Sequence, residues 1–338
     1  MNGVVLGGTG GIWRVLGDDG VTREASLRGR LKKSDEGRRA DGSLRRDTVA
    51  SVGRRGKLAV GDRVTLAEDA RGTGAWAIDV IEPRRSKLAR RSPGGGYGER
   101  VLVANVDQVI VVFAAARPDP HPRMLDRFLV VAEANGLSSR IVVNKAELVG
   151  DGDAARGEAV VRERFAEFAQ AGYELHVTSV ARAHGMEALR EALDGRTSAL
   201  TGPSGVGKSS LMNALYPGLD LRIGAISESV NKGRHTTVGA LLHPLPTPEG
   251  TPSGGFVVDT PGLREIGFWG IEAGELDQCF PEMRPYLETC RFADCAHVVE
   301  PGCAVRETVA AGVMSRGRYE SYVKLREEIV EGTPPEWG

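Results

Sequence analysis

The sequence predicts a multidomain chain in three parts: an N-terminal OB-like β-barrel (residues 1–92), a central α/β domain built on a P-loop (97–268), and a mostly helical C-terminal module that binds a metal (269–338). Three observations carry this. The first part is a series of short β-patterned runs separated by glycine-rich turns. The second alternates apolar runs with helical spacing around the segment GPSGVGKSS. The third places three of the chain's four cysteines and a histidine within fourteen residues. At 338 residues the chain also exceeds what one hydrophobic core usually organises.

Composition narrows the classes. An apolar content of 41% beside 26% charged residues excludes global disorder. The N-terminus, MNGVVLGGTGGIW, has no basic segment followed by an apolar one, and the longest apolar run, near 109–116, is too short to span a bilayer. A cytoplasmic protein without a membrane partner is the expectation. In a reducing compartment, clustered cysteines point to a metal more than to disulfides. The net charge of −1 conceals an asymmetry: residues 28–57 carry +7 and residues 84–91 another +5, leaving −13 for the remainder. Positive charge gathered at one end suits a polyanion such as RNA, which gains by releasing counterions. A solvated arginine-rich loop fits the same run.

Taken in order, GVVLGGTGGIWRVLG, VTREASLRGRLK, LAVGDRVTLAED and GAWAIDVIEP read as barrel strands. Residues 33–57 are polar, without apolar periodicity, and read as a projecting loop; SPGGGYGER (92–100) reads as a linker. VDQVIVVFAAA is a buried strand, MLDRFLVVAEANG a helix ending in glycine, and RIVVNKAEL a strand running into a loop. A helical stretch (AARGEAVVRERFAEFAQAG), the strand YELHVTSV, the helix GMEALREALDG and the strand TSALTG complete a βαβ rhythm, which places ligands at the carboxyl ends of a mostly parallel sheet. After 268 the pattern turns helical on both sides of the cysteines.

The strongest motif is Gly202, Pro203, Ser204, Gly205, Val206, Gly207, Lys208, Ser209 and Ser210, set between a predicted strand and a predicted helix. Glycines let backbone N–H groups converge on phosphate oxygens, and the helix N-terminus adds its dipole. Lys208 would reach the β/γ-phosphates and Ser209 would ligate Mg²⁺. The base is chosen elsewhere. Asn144, Lys145 and Glu147 form NKAE, of the guanine-reading form N-K-x-D, in which a carboxylate accepts from guanine N1–H and the exocyclic amine, Asn meets the base edge and Lys stacks over the ring. Adenine offers neither donor at that position, so ATP would leave a buried carboxylate unpaired. Alone this pattern is weak; beside a P-loop it gains weight. Ser179 and Val180 close the next strand, where backbone N–H groups would meet guanine O6. Asp259 and Gly262 supply D-x-x-G, for Mg²⁺ through water and for the γ-phosphate, and Thr236 and Thr237 lie on a polar stretch between the P-loop and that motif, with Thr237 the expected Mg²⁺ ligand.

The order is permuted. Asn144 precedes Gly202 by 58 residues, whereas base-reading elements ordinarily follow the P-loop. Circular permutation preserves contacts because domain termini often lie close together. The residue after Gly262 is Leu263, which cannot orient water, so intrinsic turnover should be slow; His235, on the same polar stretch as the threonines, is the candidate catalytic group beside Lys208 and Thr237. Cys290, Cys295, His297 and Cys303 suit a closed structural Zn²⁺ site, while Cys279 reads as a packed thiol. A P-loop kinase, or an RNA-binding protein with a passive nucleotide domain, are the rival classes.

With NKAE, TSV, GPSGVGKSS, GRHTT, DTPG and C-x4-C-x-H-x5-C in this order, nearly the whole chain resembles the ribosome small-subunit-dependent GTPase A (RsgA, or YjeQ) family. The resemblance implies a GTP hydrolase in late maturation of the small ribosomal subunit, a monomer that binds the subunit and its rRNA with GTP and Mg²⁺ and leaves on hydrolysis, with turnover stimulated by the subunit. Glu147, Val180, Val238 and the arginine-rich loop depart from the family pattern.

Overall fold

The computed structural model describes residues 1–28, 31, 58–68, 74–91, 99–219, 221, 240–246, 252–259 and 271–332. The arginine-rich loop 33–57 lies outside the described residues. Strands β1 (Asn2–Thr9), β2 (Ile12–Gly17), β3 (Thr22–Leu27), β4 (Arg63–Glu68) and β5 (Trp76–Ile81) form a closed barrel in the order β1-β2-β3-β5-β4. The β1–β2 hairpin turns on Gly10 and Gly11 at φ +64° and +86°, the left-handed pair that a two-residue turn of this twist demands. Inward residues Val5, Val15, Val64 and Ile78 are fully buried in the barrel core. Their neighbour Leu6 points the other way, into the core of the central domain, so β1 serves both.

The stretch read as a linker (92–100) ends in strand, and residues 92–98 lie outside the described residues. β6 (Lys87–Arg91) pairs antiparallel with β7 (Glu99–Ala104), so Glu99 and Arg100 are already strand. Arginines and a glutamate at the strand ends hide the alternation that would mark this hairpin. Leu88 and Val103 from it are fully buried beside Leu6 and Val60, joining barrel to sheet.

The central sheet runs β10-β9-β8-β11-β13-β12, made of β8 (Gln108–Ala114), β9 (Ser138–Asn144), β10 (Glu174–Val177), β11 (Thr197–Thr201), β12 (Leu241–Pro246) and β13 (Pro252–Asp259). All neighbours are parallel except the edge pair β12–β13. The continuous apolar run of β8 is explained by burial on both faces. Val109, Val111 and Phe113 join a core with α1 (Pro122–Ala134), α2 (Ala154–Arg164) and α3 (Ala166–Gln170), whereas Ile110, Val112 and Ala114 join one with α4 (Met186–Leu193) and α5 (Lys208–Leu215). Among the described residues no helix is long and apolar enough to cross a membrane.

In the C-terminal module the stretch expected to be helical from 271 to 290 forms only 3-10 turns, Asp277–Cys279 and Arg284–Thr289. Pro281 and Pro285 remove the N–H groups a continuous α-helix needs. The α-helices come after the cysteines: α6 (Ala304–Ala310) and α7 (Arg316–Glu331), the latter capped by the Ser315 hydroxyl accepting from the Arg318 N–H and closed by Gly332 at φ +64°. The module docks on α1. Arg318, 1% exposed, pairs with buried Asp126 of α1 and with Glu282 at 2.6 Å, while its guanidinium lies over the rings of Phe168, Tyr173 and Phe280 at 4.8–5.5 Å. Arg127–Glu328 and Arg284–Glu133, each at 2.6 Å, flank it.

Candidate nucleotide site and metal centre

The carboxyl ends of β8, β9, β10, β11 and β13 bring Ala114, Asn144, Val177, Thr201 and Asp259 to one edge of the sheet. The P-loop leaves β11 and turns into α5. Gly202, Gly205 and Gly207 stand at φ +132°, +75° and +93°, conformations that side chains rarely adopt. A Cβ on Gly202 would sit 2.0 Å from the Val112 carbonyl oxygen, and one on Gly207 2.6 Å from Asn144 Nδ2. The turn therefore needs glycine for close packing as well as for phosphate access. Lys208 Nζ donates to the Gly202 and Pro203 carbonyls at 2.7 and 2.6 Å, which holds the ammonium over the loop; Val206 and Ser209 are buried, while Ser204 and Gly205 are exposed.

The NKAE loop touches the P-loop directly. Asn144 Nδ2 donates to the Val206 carbonyl at 3.1 Å, and Asn144 Oδ1 accepts from the Thr178 hydroxyl at 3.3 Å. Its amide thus braces the two loops, a role the sequence reading did not give it; Thr178 was read there only as part of TSV, and a strand-end threonine carries no pattern that would announce this hydroxyl contact. Lys145, left-handed at φ +62°, extends to the Gly205 carbonyl at 2.7 Å and to the Arg117 carbonyl, so its stem crosses the P-loop rim. Glu147 is held at the backbone, its carbonyl accepting from the Gly152 N–H at 2.9 Å, yet its Oε2 is buried with no donor among the described residues. Such an oxygen is costly unless a ligand supplies the donor. The Ser179 N–H donates to the His184 carbonyl at 3.1 Å and the Ser179 hydroxyl accepts from the Arg182 N–H at 3.1 Å. Asp259 ends β13, paired with Leu200 of the P-loop strand and with Leu241 of β12. His235, Thr236, Thr237 and Gly262 lie outside the described residues.

The second constellation is in the C-terminal module. One ligand atom from each of Cys290, Cys295, His297 and Cys303 lies within 4.8 Å of the others, and this set could hold a metal ion. His297 turns Nδ1 to the Sγ atoms of Cys290 and Cys303 at 3.5 and 3.4 Å; those two sulfurs are 3.9 Å apart. Burial pushes the Cys303 thiol up to about 12, so a metal must displace its proton. Glu300 braces the ligand loop: it accepts from the N–H groups of Ala296, Val298 and Val299 at 3.0–3.1 Å. Against the opposing effect of partial burial, these hold its carboxyl at about 2. Cys279, apart from the cluster, is a buried thiol packed in the module core, as the sequence reading expected.

A P-loop tied to the NKAE loop that precedes it in the chain is the arrangement of a permuted nucleotide-binding domain, and the RsgA GTPase family model matches residues 81–269. The chain belongs to the RsgA GTPase family. A small ribosomal subunit biogenesis GTPase RsgA from Gemmatimonas aurantiaca is 62% identical over 328 residues, covering 97% of each protein. The protein of the same description from Bacteroides fragilis is 32% identical over 98% of each. YjeQ from Thermotoga maritima, a crystal structure, superposes with a TM-score of 0.72 at 33% identity over 97% of this chain and 98% of that one. YloQ, described as a circularly permuted GTPase, gives 0.68 at 26% identity over 99% and 96%. This RsgA-family chain is therefore a GTPase with the permuted fold, and its central domain bears the family's match.

Proposed function

We propose that this chain hydrolyses GTP in the late biogenesis of the small ribosomal subunit, binding the subunit and its rRNA in the GTP state and leaving on hydrolysis. The observation that carries the guanine reading is the buried, donor-less Oε2 of Glu147 in a loop bonded to the P-loop through Asn144 and Lys145. Guanine N1–H and its exocyclic amine would satisfy that oxygen, and adenine would not. Because the Ser179 N–H is committed to His184, the Val180 N–H is the one assigned to guanine O6. Gly202 to Ser210 would cradle the phosphates, with Lys208 neutralising charge that develops on them. Bound Mg²⁺, held by the Ser209 and Thr237 hydroxyls with Asp259 behind a water, would supply further neutralisation. His235 would position the attacking water, Thr236 would flank the nucleotide, and Gly262 N–H would meet the γ-phosphate.

Zinc fits the Cys/His cluster. Tetrahedral ligation at about 2.3 Å for sulfur and about 2.0–2.1 Å for nitrogen separates ligand atoms by about 3.8 Å (S–S) and about 3.5 Å (S–N), close to the 3.9, 3.5 and 3.4 Å found. With no open position, this ion would be structural. The basic barrel end, as an OB-like module, would meet rRNA, and the chain would work as a cytoplasmic monomer.

The test is GTP turnover with and without purified small subunits, comparing wild type with His235→Ala and Lys208→Ala. Sharp stimulation by subunits that both variants lose is expected. Equal stimulation by any RNA would remove the ribosome-specific part, and comparable use of ATP would remove the guanine part.

A further inference from the structure

We propose that Asp277 is a positioning residue for the metal: it fixes the ring of His297 for zinc and, in doing so, ties the polypeptide leaving the nucleotide domain to the ion. The inference rests on the zinc reading of the Cys/His cluster. With Nδ1 facing the sulfurs, a zinc-binding His297 must carry its proton on Nε2. Asp277 Oδ2 lies 3.3 Å from that Nε2, and a carboxylate can only accept, so the pair is compatible with this tautomer and no other neutral one. The carboxylate is itself set, because its Oδ1 accepts from the Gln278 N–H at 2.7 Å.

Other groups hold the histidine's backbone, not its ring. His297 stands at φ +60°, a conformation uncommon outside glycine, and is 2% exposed. The Tyr319 hydroxyl donates to the His297 carbonyl at 2.8 Å, the Tyr322 hydroxyl to the Ala296 carbonyl at 2.9 Å, and Glu300 gathers the amides on either side. Among the described residues, Asp277 alone makes a polar contact with the imidazole from outside the cysteines. A carboxylate there raises the basicity of the ligating nitrogen and stops the ring from turning.

The origin of Asp277 gives the bond its second consequence. The cysteines and His297 belong to the loop 290–303, but Asp277 belongs to the stretch that follows D-x-x-G (259–262) in the chain and precedes the cysteines. Its 3-10 turn, Asp277–Cys279, packs on α1 of the nucleotide domain, whose Val130 sits in the module core. Displacing that segment would therefore loosen the ring of a zinc ligand.

The test uses full-length protein. Zinc affinity is measured by competition with a chromogenic chelator, and the Co²⁺-substituted protein is examined by visible absorption, for wild type, Asp277→Ala, Asp277→Asn and the control Asp294→Ala, which removes an exposed carboxylate of the ligand loop. Asp277→Ala should weaken zinc binding about 10- to 100-fold and shift the cobalt d–d bands while the thiolate charge-transfer band persists. Asp277→Asn, whose carbonyl still accepts from Nε2–H, should fall between, and the control should match wild type. Zinc affinity of Asp277→Ala within twofold of wild type with an unchanged cobalt spectrum overturns the proposal, as does an equal loss in Asp294→Ala. If wild type takes up no zinc, the zinc reading itself falls; if wild type binds and the Asp277 variants bind equally, only this inference does.

Discussion

Replacing Glu147 by alanine isolates the element proposed to select the base. The loop should survive, since Glu147 is fixed through its backbone: its carbonyl accepts from the Gly152 N–H, and Asn144 and Lys145 keep their bonds to the P-loop. What disappears is the acceptor for two guanine donors. Hydrogen bonds to a charged group contribute about 1.5–3 kcal/mol each, so the two together amount to about 3–6 kcal/mol. At about 1.4 kcal/mol per decade, GTP should bind on the order of 10²- to 10⁴-fold more weakly. ATP has no donor for Oε2, which is buried and unsatisfied in the free protein; its affinity should hold or improve. The assay is displacement of a fluorescent guanine nucleotide by GTP and by ATP at fixed Mg²⁺ and salt. Glu147→Asp should keep the GTP preference with altered strength, because the carboxylate is retained on a shorter arm. A GTP-to-ATP affinity ratio in Glu147→Ala within threefold of wild type would refute the reasoning.

Lys208→Ala should lower turnover on the order of 10²-fold or more, with circular dichroism unchanged, because the ammonium bonds to the Gly202 and Pro203 carbonyls of its own loop and the fold's cores are built elsewhere. Arg318→Met leaves Asp126 buried without its cation and should loosen the module from α1 by about 3–5 kcal/mol; native-state hydrogen exchange in 316–331 would detect it, and adding Asp126→Leu should recover most of the loss. Zinc affinity should tighten with rising pH through the neutral range. The metal-free Cys303 thiol is protonated up to about 12, so binding releases its proton, and affinity should gain about tenfold per pH unit for each proton released; chelator competition at several pH values checks this, and a flat profile would count against thiolate ligation.

Much of the site was legible because the chemistry is local. Three glycines within six residues of a strand end, a lysine and a serine opening a helix, and four soft ligands at short spacing each state their role within a few turns of chain. The strand β8 announced itself by being apolar on both faces. The helical forecast for 271–290 failed because two prolines interrupt a segment whose apolar residues still fall at helical spacing. The linker forecast overran the start of β7 at Glu99 and Arg100, because charged residues there hide the strand pattern.

What the sequence alone determined is the set of parts: the P-loop motif, the NKAE motif, the Cys/His cluster, and the permuted order in which they occur, since each is written in neighbouring residues. Only the tertiary structure decided how they join. That Asn144 braces Val206, that Arg318 is buried against Asp126 across 192 positions, and that Asp277 meets the outer nitrogen of His297 depend on which distant surfaces the folded chain presses together. A hydrogen bond between residues far apart leaves no periodicity in either neighbourhood, so it becomes visible only when burial and packing have fixed where both ends lie.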